Sequence, residues 1–61
     1  MFYQLDNAIM KKRYNVEYID NQYWAYDARD DIFVNRHGYV TDDGFLTKAE
    51  AVATVNLLND K

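Results

Sequence analysis

Two runs of aromatic and β-branched residues, separated by two residues that tolerate a left-handed backbone, constrain this chain more than any other feature. Arg13-Tyr14-Asn15-Val16-Glu17-Tyr18-Ile19 nearly alternates between apolar and polar side chains, the period of a strand with one buried face. Asp20-Asn21 follows, and a two-residue hairpin turn demands a backbone that Asp and Asn accept. Gln22-Tyr23-Trp24-Ala25-Tyr26-Asp27 then resumes the strand pattern. The spacing predicts a hairpin in which Ile19 faces Gln22, Tyr18 faces Tyr23, Glu17 faces Trp24, Val16 faces Ala25 and Asn15 faces Tyr26. One face then carries Tyr14, Val16, Tyr18, Tyr23 and Ala25. The other carries Arg13, Asn15, Glu17, Trp24 and Tyr26. The first is the more apolar and is expected to pack against a helix.

Beyond the hairpin, Ala28-Arg29-Asp30-Asp31 reads as a polar turn and Ile32-Phe33-Val34 as a short third strand. Asn35-Arg36-His37-Gly38 is a second turn, with Gly38 free to take positive φ. Tyr39-Val40-Thr41 extends the sheet, and Asp42-Asp43-Gly44 closes it. Thr47-Lys48-Ala49-Glu50 is a capping box that opens a helix through Leu58. Ala51, Val52, Val55 and Leu58 are expected on its buried side, with Glu50, Thr54 and Lys61 opposite. Phe45 and Leu46, just before the cap, are placed to staple the helix onto the sheet. The first twelve residues admit two readings: a helical turn through Phe2, Leu5 and Ile9 capped by Asp6, or a strand from Phe2 to Leu5. The expected fold is α+β, one domain over residues 1–61: a three-stranded antiparallel sheet, one C-terminal helix on one face, and a short N-terminal element.

Composition limits the chemistry. The chain has 61 residues, no cysteine, no proline and no serine. That excludes disulfides, thiolate zinc sites, and cysteine or serine nucleophiles. A domain this small buries only about 60% of its unfolded surface, so it needs compensation. Six Tyr, three Phe and one Trp can supply a dense aromatic core, and a homodimer is the other route. His37, the only histidine, sits in a turn between Arg36 and Gly38 and reads as an exposed side chain. Asp27, Asp30 and Asp31, and also Asp42 and Asp43, lack the spacing of a calcium loop. Gly38 and Gly44 are the only glycines and build no phosphate-cradling loop. The chain therefore reads as non-enzymatic, with no cofactor and no metal. No apolar run approaches a membrane span, and no basic leader precedes an apolar stretch, so a cytoplasmic protein is expected.

Charge sorts the remaining functions. The net charge is -3. Between residues 14 and 46, Glu17, Asp20, Asp27, Asp30, Asp31, Asp42 and Asp43 stand against Arg29 and Arg36, a net of -5. Lys11, Lys12 and Arg13 form a short basic cluster. Nucleic-acid binders normally present a basic surface, whereas an acidic surface suits a basic protein partner. A single helix covers only one face of a small sheet. The outer face is then wet or an interface, and Trp, Tyr and Arg are the residue types that dominate binding hot spots. Trp24, Tyr26, Glu17, Asn15 and Arg13 are the candidate partner-binding residues, and Asp27, Asp30 and Asp31 the candidate steering acids. Two other arrangements stay open: a one-residue slip of register would turn Trp24 into the core, and the N-terminal segment could fold over it.

Gly44-Phe45-Leu46-Thr47-Lys48-Ala49-Glu50-Ala51 resembles the G-F-x-T-K-x-E-A sequence that enters the helix in arm-type DNA-binding domains of tyrosine-recombinase integrases. The resemblance implies a three-stranded sheet packed on one helix, with the outer sheet face in the DNA major groove, and a phage or prophage origin. Three functions follow as expectations. The first is a small acidic binding protein that docks on a host protein with a basic surface and blocks it, in the manner of a nucleic-acid mimic if its acids align. The second is a DNA-binding accessory module, and the third a homodimeric structural protein.

Overall fold

The computed structural model describes residues 12–60. Strands β1 (Tyr14–Ile19), β2 (Gln22–Asp27) and β3 (Ile32–Val34) form an antiparallel sheet in that order, and helix α1 (Lys48–Asn59) packs against β1 and β2. This is the expected α+β layout. Both readings of the N-terminal segment, and Lys61, lie outside the described residues.

The hairpin has the predicted register, extended by one pair, Tyr14 with Asp27. Asp20 and Asn21 sit at φ 53° and 65°, so both central turn residues are left-handed. That turn twists with the strands and makes Ile19–Gln22 a hydrogen-bonded pair. Bonded pairs then alternate along the ladder, so Tyr14, Val16 and Tyr18 turn their backbone groups outward on the β1 edge. The Asn59 side chain meets the first of these. Its Oδ1 accepts from Tyr14 N at 3.0 Å, and its Nδ2 donates to Tyr14 O at 2.9 Å. One amide side chain thus takes the place of a neighbouring strand and ties the end of α1 to the sheet edge.

On the other edge of β2, pairing is shared. Ala25, Tyr26 and Asp27 face Val34, Phe33 and Ile32, while Tyr23 exchanges both backbone hydrogen bonds with Phe45. The loop between them is organised by Asn35, whose Oδ1 accepts from His37 N and Tyr39 N. Gly38 takes φ 87°, as its turn requires. Val40 meets Val34 in a single bridge, so the Tyr39–Thr41 extension amounts to one paired residue.

Thr47 caps α1 with the full capping box: Glu50 N donates to Thr47 Oγ1, and Thr47 N donates to the Glu50 carboxylate. The buried stripe is Ala51, Thr54, Val55 and Leu58. Thr54 is therefore inside and Val52 is 36% exposed, the reverse of the expectation. Ala51, the helix residue with no exposure, sets the phase, and its i+3, i+4 and i+7 neighbours follow it inward. Phe45 packs against the core as expected, but Leu46 is 82% exposed and forms no staple.

The core is aliphatic rather than aromatic. Ala25, Val34, Val55 and Leu58 form its centre, with Tyr14, Val16, Ile32 and Phe45 packed around it. Tyr18 lies on this face as expected but stays 58% exposed, its ring tilted against that of Tyr23 with centroids 4.6 Å apart. Asn59→Ala removes both bonds to Tyr14 and should cost about 1–2 kcal/mol in urea denaturation. Asn59→Asp should cost at least as much, because it loses the donor and puts a negative charge at a helix C-terminus.

Candidate functional site

The sheet face opposite α1 is built from alternate residues of all three strands. Glu17 on β1 lies opposite Trp24 on β2, Asn15 lies opposite Tyr26, and Tyr26 lies opposite Phe33 on β3. The Trp24 ring sits 4.8 Å from Phe33, and Tyr26 sits 5.7 Å from the same ring. The three aromatics make one contiguous, half-buried cluster. Phe33 was not among the expected site residues. Its signal was present: a four-residue turn after Asp27 sets Ile32 opposite Asp27, which puts Phe33 beside Tyr26.

Local contacts fix each member. Trp24 Nε1 donates to Ile19 O at 3.0 Å, so the indole lies toward the hairpin turn. Gly44 backs the same ring: a Cβ there would come within 2.8 Å of Gln22 Cβ, 2.9 Å of Tyr23 O and 3.0 Å of Trp24 Cε2. The glycine of the resembled eight-residue stretch is thus required by close approach to β2. Tyr26 donates its hydroxyl to Asp31 Oδ1, and that bond holds the phenol above its ordinary pKa. Asp31 occupies φ 57° at the end of the turn. Asn15 spends its amide on Lys12 O at 3.0 Å. Glu17 is exposed.

Two expected site residues serve another purpose. Asp27 is not a solvent-facing steering acid; it is buried, 1% exposed. The pairing of Tyr14 with Asp27 places it on the helix side of the sheet, with Val16 and Ala25. Arg13 crosses over to it in a two-pronged contact, Nε to Oδ1 at 2.9 Å and Nη2 to Oδ2 at 2.7 Å. The same carboxylate accepts from Arg29 N at 3.0 Å and Asp30 N at 3.4 Å. The guanidinium above all, with these backbone donors, lowers the Asp27 carboxyl to about 2 against the pull of burial. Arg13 is correspondingly raised, and its guanidinium also lies 4.9 Å from the Tyr14 ring. Of the candidate steering acids, Asp30 and Asp31 are exposed, with Asp30 bonded to Arg13 and Arg29 at 3.3 Å.

Two depressions, of about 260 and 370 Å³, lie between Arg36, Phe45 and Leu57 and beside Arg13 and Asn59; neither is lined by Trp24 or Tyr26. Among the described residues no three His, Asp or Glu side chains are grouped to hold a metal ion. No helix among them is long and apolar enough to cross a membrane. No family model, curated protein or solved structure matches this chain significantly.

Two outcomes follow. Asp27 titrates lower in the folded chain than its ordinary 3.8, so its contribution is complete above about pH 4 and is lost as pH falls toward 2. Urea denaturation across that window should show a loss of roughly 2 kcal/mol that is absent from Asp27→Asn. Gly44→Ala should destabilise by about 1–3 kcal/mol, with a shift in Trp24 fluorescence, because backbone as well as side chains must move.

Proposed function

We propose that this chain is a non-enzymatic protein-binding module that docks on a basic-surfaced partner through the outer face of its sheet. The observation that carries the reading is the contiguous Trp24–Phe33–Tyr26 cluster on the face the helix leaves uncovered. Glu17 lies beside it on β1, and Asp31 at the hydroxyl of Tyr26. An aromatic centre with an acidic rim suits a partner patch that offers apolar area and Lys or Arg. Asp30, and not Asp27, shares the steering role with Asp31. The phage or prophage origin implied by the Gly44–Ala51 resemblance makes a host protein the target to test, with steric block as the mode of action.

Charge also favours protein over DNA. Arg13, the residue of the basic cluster nearest the sheet, is committed to Asp27, and Glu17 stands in the middle of the face that would enter a groove. The test is capture from a bacterial lysate with wild type and with Trp24→Ala/Tyr26→Ala bait, each with and without nuclease. A circular dichroism melt checks that the variant is folded. Capture by wild type that is lost by the variant and indifferent to nuclease is expected. Capture abolished by nuclease would move the assignment to nucleic acid.

A further inference from the structure

The β1 edge shows how such a partner would be held. Of the three outward-turned positions, Tyr14 is satisfied by Asn59. Val16 and Tyr18 are not: among the described residues, nothing hydrogen-bonds to their outward N–H and C=O groups. Of the usual guards of an exposed edge, the strand has no proline, no lysine and no bulge in its pairing, and it relies on a single charge. Its one charge, Glu17, lies between the two open positions and projects onto the outer face.

We infer that β1 accepts an extended segment of the partner as a fourth, antiparallel strand, with a Lys or Arg of that segment opposite Glu17. This rests on the protein-binding reading but uses different atoms. An added strand that bonds to both Val16 and Tyr18 has its middle residue directly across from Glu17. That side chain must lie on the outer face, next to the carboxylate and one strand away from Trp24. A cation there gains an opposite charge directly across the ladder. The residues on either side of it point to the helix side, beside Val16 and the exposed Tyr18 ring, so they are apolar. The segment therefore reads apolar–basic–apolar.

The same geometry argues against other occupants. A second copy paired through Val16 and Tyr18 would place Glu17 opposite its own equivalent, and like charges directly across a ladder repel. Within this chain, Lys12 stands two residues before β1 and is too close to it to reverse and lie opposite Glu17.

The test is selection of a random heptapeptide display library against wild type and against Glu17→Lys. Wild type should enrich a basic residue between two apolar ones, and Glu17→Lys should enrich an acidic residue at that position. Tyr18→Pro deletes one outward N–H without touching the ladder to β2, and Tyr18→Val retains it. Selected peptides should lose about tenfold or more in affinity for Tyr18→Pro relative to Tyr18→Val. Amide exchange at Val16 and Tyr18 should slow when peptide binds. Peptides with no charge preference, or equal affinity for both Tyr18 variants, overturn the inference. So does a dimer of the free chain, or slow exchange at both amides before peptide is added. Each of these leaves the outer-face reading standing on lysate capture, whereas capture retained by Trp24→Ala/Tyr26→Ala would overturn the outer-face reading and leave the β1 edge to be judged by the peptides.

Discussion

The Arg13–Asp27 pair holds the open end of the hairpin, and the rest of the chain is arranged around it. A carboxylate as buried as Asp27 is tolerable only when its charge is matched and its lone pairs are filled. Both conditions are met at once, by the two guanidinium contacts and by the N–H groups of Arg29 and Asp30. Those backbone bonds also shape the turn that leads into β3. Asp31 N closes that turn by donating to Asp27 O at 2.8 Å. A strand of three residues cannot specify its own position. Asp27 does it, and thereby carries Val34 under the helix.

The two faces of the sheet divide the side chains by size. Ala25 and Val34 on the helix side, and Ala51 on α1, allow the helix to lie close. The large rings are displaced to the rim, as Tyr14 and Phe45, or to the outer face, as Trp24, Tyr26 and Phe33. The linker from Phe45 to Thr47 is short, since Phe45 pairs with Tyr23 and Thr47 already caps α1. Most of the ring area therefore packs outside the centre, at the rim and on the outer face.

What could be read from the amino acids follows the range of each interaction. The Asp20-Asn21 turn pointed to five of the six pairs of the β1–β2 ladder, because turn length and side-chain alternation favour one register, although a one-residue slip stayed open until the ladder itself was seen. The capping box was equally legible, since both of its bonds span three residues. Long-range terms were not. Val52 outranks Thr54 in hydrophobicity, yet the phase of α1 is set by Ala51 at close approach to the sheet. Asp27 carries a charge, and charge suggests solvent; its burial depends on Arg13, fourteen residues away. The exposure of Leu46 depends on where Phe45 pairs, again a tertiary fact. At the candidate site, Trp24 and Tyr26 were found from hairpin alternation, while Phe33 required the turn that Asp27 builds.

The chemistry left free on the outer face limits how it can discriminate. The indole N–H of Trp24 is already given to Ile19 O, and the Tyr26 hydroxyl to Asp31. The Asn15 amide is given to Lys12 O. The cluster therefore offers ring faces and edges, which supply contact area and accept many apolar shapes. Under the docking proposal, specificity comes from groups that make no hydrogen bond among the described residues, and on this side of the sheet those include the Glu17 carboxylate, the Gln22 amide and the backbone of Val16 and Tyr18 beside them. On the proposed reading, affinity and selectivity thus reside on adjacent strands. The rings of β2 and β3 supply the burial, and the edge of β1 decides which segment, in which register, is allowed to use it.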